Sequence, residues 1–286
     1  MGWFKFRTSE WVLIGFFTYV ALLSPAFPDR PHLRLQPLFV VIAVFLLLLL
    51  LARAPQARVI GVIRDWLPIV LTLAAFREME LFLPPHFDLH YETEWIRWDH
   101  LLLDKWRVRT AIESLGSSIP FYLELCYLLV YGLPAYCIAV LYAQRRGMSI
   151  DRFFTVYLVG TLTAYALFPF FPSQPPRVAF PAADAPSMIT WVGSANLFVL
   201  SRATIHVGVF PSAHVSSAFS SAWAMFLLLP KRKSFGWGLL CYALSVSVAT
   251  VYGRYHYAAD VLAGFGISLL AAGLCLWFRG RPVDVC

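Results

Sequence analysis

The chain has 286 residues, of which 59% are hydrophobic and only 14% charged, with a formal net charge of +7. Its apolar residues come in runs far too long for a soluble core, so a water-soluble globular domain is excluded and an all-α polytopic membrane helix bundle is expected. Nucleic acid is not the expected partner of the positive charge: Lys and Arg cluster in short groups beside apolar runs, and no basic stripe interleaves with aromatics.

At about 20 residues per crossing, the chain holds about eight candidate spans, read as a six-helix catalytic core plus extra helices. The first, 11 to 27, follows Lys5 and Arg7; no small-x-small cleavage site follows it, so it is expected to be retained. The second covers 37 to 52. The third, 59 to 83, is the weakest, with Arg64 and Asp65 near one end and Arg77, Glu78 and Glu80 near the other. Charges are expensive in lipid, so these groups, like Glu124 further on, are expected to face the bundle or its mouth.

Segment 84 to 118 differs in kind. Trp95, Trp98, Leu102 and Trp106 recur at helical spacing with Arg97, Asp99, Asp104 and Lys105 between them, which describes an amphipathic helix lying in the interface. It is either a surface helix seated by aromatics or the lining of a lateral lipid access. His86, Asp88, His90, Asp99, His100 and Asp104 make a metal site the rival chemistry here, although their spacing matches no familiar zinc box.

The remaining spans are 119 to 143, 152 to 171, 212 to 229, 236 to 253 and 257 to 278. Three units result: N-terminal spans over 1–83, a non-cytoplasmic segment over 84–118 and a catalytic bundle over 119–286. With all eight crossing, Lys5/Arg7, Arg53/Arg58, Arg145/Arg146, Lys231/Arg232/Lys233 and Arg279/Arg281 fall in every second loop. Both termini are then cytoplasmic, and Arg30 and Arg34 are the exceptions on the far side. Cys126, Cys137, Cys241 and Cys275 lie in apolar runs and Cys286 ends the chain, so no disulfide framework or prenylation box is expected.

Chemistry concentrates in Pro172-Ser-Gln-Pro-Pro-Arg177, Phe210-Pro-Ser-Ala-His214 and Gly253-Arg-Tyr-His-Tyr-Ala-Ala-Asp260, which the topology puts at one membrane face. His256 and Asp260 are four apart at a helix start, so the carboxylate can hold one imidazole N–H and leave the other nitrogen as a nucleophile toward phosphorus. Alone, such a pair is equally a helix-stabilising contact. His214 supplies the proton a leaving alkoxide needs. Ser212 sits at a helix N-terminus, where N–H groups and hydroxyl favour an anion. Arg177, stiffened by Pro172, Pro175 and Pro176, and Arg254 are candidate phosphate clamps, or else headgroup anchors. Gln174, Glu78 and Glu80 are candidate headgroup or access residues. Gly264 and Gly266 are expected to let helices approach closely.

Pro-Ser-Ala-His214, followed 42 residues later by His256-Tyr-Ala-Ala-Asp260-Val-Leu-Ala-Gly264, resembles the type-2 phosphatidic acid phosphatase superfamily. Pro-Pro-Arg177 and the compact Arg-Tyr-His-Tyr run look most like its branch of inositol phosphorylceramide synthases and their bacterial relatives. The resemblance implies a metal-independent reaction without a cofactor. In it His256 is the nucleophile, Asp260 its partner and His214 the acid and base, with Ser212 and Arg177 holding the phosphate. The broader pattern has a lysine seven residues before an Arg-Pro pair and an arginine six before the nucleophile; this chain has Phe170, Val178 and Thr250 there. These departures favour the synthase-like branch. The expected activity is transfer of a phospho-headgroup from a phospholipid donor to a lipid hydroxyl. The alternatives are a lipid phosphate phosphatase, in which water is the acceptor, and a non-enzymatic scramblase or transporter on the same scaffold.

Overall fold

The computed structural model describes residues 6–30, 33, 35–55, 57–181, 185–203, 205 and 208–279. Lys5, Arg34, Arg281 and Cys286, used in the charge and cysteine arguments, lie outside the described residues. Every regular element among those described is helical.

Three helices open the chain: α1 (Thr8–Leu23), α2 (Gln36–Arg53) and α3 (Arg58–Glu78). The segment that follows α3 forms α4 (His90–His100), extended by one wider turn over Leu101–Lys105, and α5 (Val108–Glu113). Next come α6 (Ser118–Leu129) and α7 (Leu133–Ala143), one apolar stretch bent at a tight turn where Pro134 opens the second half. After α8 (Ile150–Leu167), the one-turn α9 (Pro176–Ala179) and α10 (Trp191–Ala203), the chain ends in α11 (Ala213–Leu228), α12 (Lys233–Tyr252) and α13 (Ala258–Arg279).

Seven stretches among the described residues are long and apolar enough to cross a membrane. The eighth expected span is α11, of 16 residues and mostly buried. It is the central post, packed against α8, α12 and α13. Its serines make close packing feasible: Ser216 Oγ donates to the Gly160 carbonyl of α8 at 2.9 Å, and a Cβ on Gly160 would overlap Ser220.

Two of the charges that weakened the third span, Arg64 and Asp65, turn toward α1. Arg7 binds Asp65 at 2.6 Å, Arg64 holds Glu10 through two bonds of 2.7 and 2.8 Å, and Asp151 of α8 accepts the Thr8 and Ser9 N–H groups at 3.1 and 2.9 Å. This network locks α1, α3 and α8 together at one end. Arg30, an exception to the charge pattern, donates to the Phe82 carbonyl and lies over the Phe27 ring. Of the cysteines, Cys126, Cys137 and Cys275 are buried as expected and Cys241 is exposed on α12.

Of the two glycines expected to allow close approach, only Gly264 does so. A Cβ there would overlap the Ser212 carbonyl at the head of α11, whereas one on Gly266 meets nothing within 4 Å. Gly264→Ala is therefore expected to destabilise by about 1–3 kcal/mol. Gly266→Ala should be neutral or stabilising by up to about 1 kcal/mol. Thermal unfolding in detergent checks both, and equal melting points for the two variants would refute the assignment.

The aromatic residues of the amphipathic segment, expected on one face, divide between an inward and an outward side. Trp95, Ile96 and Leu103 face inward and are buried, while Trp98 and Trp106 are 51% and 71% exposed. Asp99, expected among the polar groups, is fully buried. The inward face exists because Trp95 stacks on Phe210, 4.9 Å between centroids, and contacts Tyr257.

Candidate active site

The three chemistry-bearing segments meet at one end of the bundle, tied to one another through their backbones. The Ser173 hydroxyl, 1% exposed, accepts the Val209 and Phe210 N–H groups at 3.3 Å each. The Arg177 N–H donates to the Arg254 carbonyl at 3.3 Å, and the Ser212 N–H to the Asp260 carbonyl at 3.0 Å. Thr250, at the position where the superfamily pattern has an arginine, uses its carbonyl to accept both the Tyr255 and His256 N–H groups, which turns the chain between α12 and α13.

His256 Nδ1 lies 3.1 Å from Asp260 Oδ2, and its Nε2 lies 3.3 Å from His214 Nδ1. Asp260 is fully buried and also accepts the Tyr257 N–H at 3.0 Å, as a third-position carboxylate does at a helix start. With Asp260 ionised, its oxygens only accept, which puts the proton of His256 on Nδ1 and leaves a lone pair on Nε2. Burial first, and then the charge of Arg177, depress the pKa of His256 to about 3, against a smaller opposing pull from the Val209 backbone. The imidazole is therefore neutral at neutral pH, the nucleophilic form.

His214 stands in the first turn of α11, where Ser212 caps the helix by accepting the Val215 N–H at 3.4 Å. Its ring is flanked by Tyr127 and Tyr131, with centroids 5.2 and 5.4 Å away. The Arg177 guanidinium lies 5.0 Å over the Tyr255 ring, which stacks on Tyr127 at 3.9 Å. The Tyr255 hydroxyl donates to Glu124 Oε2 at 2.6 Å, and Asn196 Nδ2 donates to the same oxygen at 2.6 Å. Arg177 Nη1 is buried with no hydrogen-bond partner among the described residues. A buried, unmatched donor of a permanently charged group is a standing demand for an anion.

His214, His256, Arg177 and Tyr255 line one end of a cavity of about 380 Å³. The rest is mostly apolar and aromatic, formed by Ile69, Leu73 and Phe76 of α3, Val130 and Pro134 at the α6–α7 bend, Tyr157 and Tyr165 of α8, and Val199 and Leu200 of α10, with Thr72, Arg77, Thr161 and Ser217 as polar exceptions. Leu73 of α3 and Tyr131 of the α6–α7 bend line it while being 58% and 44% exposed, so the cavity reaches the surface beside them.

The structure thus brings together His256, Asp260, His214 and Arg177. It places the other expected residues elsewhere. Ser212 is fully buried as a helix cap, and Gln174 offers its backbone N–H to Glu92 at 2.8 Å. Arg254, 1% exposed, turns its guanidinium onto Asp99 at 2.7 Å, away from the cavity. Glu78 is buried, its carboxylate oxygens without a partner among the described residues, and neither it nor Glu80 lines the cavity; their neighbour Arg77 does. The acidic and histidine groups of 86–104 are dispersed: Asp99 serves Arg254, and His100 lies 2.7 Å from Asp104. Tyr127, Tyr131, Tyr255 and Asn196 join the site without having been singled out. Only Tyr255 carried a signal, its place beside His256.

The model of the PAP2 superfamily matches residues 94–274, which include all three segments, and the chain belongs to that superfamily. It is also similar to a PA-phosphatase related-family protein of Dictyostelium discoideum, 32% identical over 73 residues that make up 26% of this chain and 12% of that protein. No solved structure matches.

Proposed function

We propose that this chain is an integral membrane lipid phosphotransferase that moves a phospho-headgroup from a phospholipid donor to a lipid hydroxyl through a phosphohistidine on His256. The observation that carries this reading is the paired imidazoles and the unmatched Arg177 donor at the head of a largely apolar cavity that reaches the surface beside Leu73 and Tyr131. The phosphate enters between the two rings, displacing their contact, with its oxygens on Arg177. Nε2 of His256 attacks phosphorus as the bond to the leaving lipid oxygen breaks. His214, charged by a proton taken up with the anionic substrate, protonates that oxygen. Asp260 stabilises the cation that His256 becomes. In the second half His214 removes the acceptor's proton, and the acceptor oxygen displaces His256 from phosphorus. Metal ions and cofactors have no part in this scheme.

The positive clusters favour a catalytic end on the periplasmic or lumenal face, with both termini cytoplasmic. Pro-Pro-Arg177, with Phe170 and Val178 beside it, supports the synthase-like branch. The second reading, a phosphatase with water as acceptor, draws on the relative named as PA-phosphatase related.

The test is purified protein in sealed right-side-out vesicles, with donor phospholipid labelled in its phosphate and a ceramide or diacylglycerol acceptor. Label is expected to pass to the acceptor lipid, from donor in the outer leaflet. Release of inorganic phosphate regardless of acceptor would refute transfer in favour of hydrolysis, and turnover of inner-leaflet donor alone would refute the sidedness.

A further inference from the structure

We propose that α4 is the positioning element of this site, a helix seated at the membrane surface that fixes all three catalytic segments through Glu92, Trp95 and Asp99. The inference rests on the functional reading above and assigns to α4 a role other than contact with substrate, since none of its side chains lines the cavity.

Asp99 carries most of the argument. Its Oδ2 binds Arg254 Nη1 at 2.7 Å and its Oδ1 accepts the Ala258 N–H at 2.9 Å. One carboxylate therefore grips the chain two residues before His256 and two residues after it. Arg254 has a φ of 59°, a left-handed conformation that non-glycine residues adopt only when their surroundings hold them there. The ion pair supplies that hold, and Arg254 passes it on, because its carbonyl accepts the Arg177 N–H. The other two segments are reached separately, Glu92 accepting the Gln174 N–H at 2.8 Å and Trp95 stacking on Phe210.

A buried ion pair adds little net stability, while loss of one partner strands a charge, so geometry is the better account of what Asp99 does. The exposed side of α4 mixes aromatic with polar groups: Tyr91 is 39% and Trp98 51% accessible beside the exposed Glu94, Arg97 and His100, and Leu101, just after the helix, is 47% accessible. Aromatic residues of this kind settle at the headgroup boundary. The helix thereby ties the depth of His256 to the bilayer surface.

Asp99→Asn keeps an acceptor for Ala258 and removes the charge from Arg254. Misplacement of a reacting group by about 1 Å can lower a rate by about a hundredfold. We expect kcat to fall by roughly 10- to 100-fold, with KM within about threefold of wild type because the cavity wall is untouched. The double variant Asp99→Asn/Arg254→Gln, which removes both charges, is expected to regain at least about threefold of the lost kcat, as coupled neighbours do.

A folded Asp99→Asn protein with wild-type kcat, or with raised KM and unchanged kcat, overturns the inference. So does a double variant no better than the single one. Should Asp99→Asn fail to accumulate, Trp95→Phe keeps the core filled and alters the stack on Phe210; a drop in kcat at constant KM is expected, and none overturns the role of α4. A wild-type control that turns over no lipid phosphate overturns this inference together with the reading it rests on. An active wild type beside an undiminished Asp99→Asn overturns this inference alone.

Discussion

His256→Ala is expected to reduce lipid-phosphate turnover by on the order of 10⁴-fold or more, because on the proposed function it removes the atom that bonds to phosphorus. The reason lies in the geometry: Nε2 is the one ring nitrogen of His256 not committed to Asp260, and it points at His214 on the cavity wall. The measurement is twofold. Single-turnover kinetics with labelled donor should show loss of the chemical step, and acid-sensitive, base-stable label on wild-type protein should be missing from the variant. Retained turnover, or label that persists, would refute the nucleophile assignment. Because burial and Arg177 keep His256 neutral to a pKa of about 3, protonation of this residue should not limit the rate across the neutral range, where an ordinary histidine near 6.5 would.

His214→Ala is expected to slow the reaction by roughly a hundredfold or more, and unevenly among substrates. A lipid alkoxide is a poor leaving group and needs the proton as its bond to phosphorus breaks. An aryl phosphate leaves without one, so with that substrate formation of the phosphoenzyme should be nearly unimpaired. His214 and His256 are in contact, so the two substitutions should not be additive. Comparing the two substrates in the same variant checks the assignment; equal slowing of both would show that His214 does something other than protonate the leaving oxygen.

Much of this arrangement was legible from residue order. The i, i+4 spacing of His256 and Asp260 fixes their contact once a helix begins there, and the apolar runs located the seven stretches long enough to cross a membrane, including that of α3, whose Asp65 and Arg64 meet Arg7 and Glu10 at the start of α1. Local patterns cannot supply what depends on a turn's handedness or on distant partners. Arg254 sits two residues before His256 and so reads as a clamp, but its left-handed backbone directs the side chain into Asp99, more than a hundred residues earlier. Trp95 reads as one of an interfacial row, because nothing in its neighbourhood announces Phe210. Glu124 reads as a polar residue stranded in an apolar span; its function as the acceptor for Tyr255 and Asn196 emerges only when α6, α10 and the α12–α13 turn pack together. Helix α10 itself was hidden in a stretch that reads as connection.

The exposure of the cavity lining at Leu73 and Tyr131 has a consequence for how activity scales. On the functional reading above, ligands arrive by diffusion in the plane of the sheet of lipid, and the quantity the protein samples is surface density, not bulk concentration. Diluting the donor with inert lipid should then depress the rate even when the total amount of donor per volume is held constant, and thinning the vesicle suspension with buffer should leave each molecule's rate unaltered.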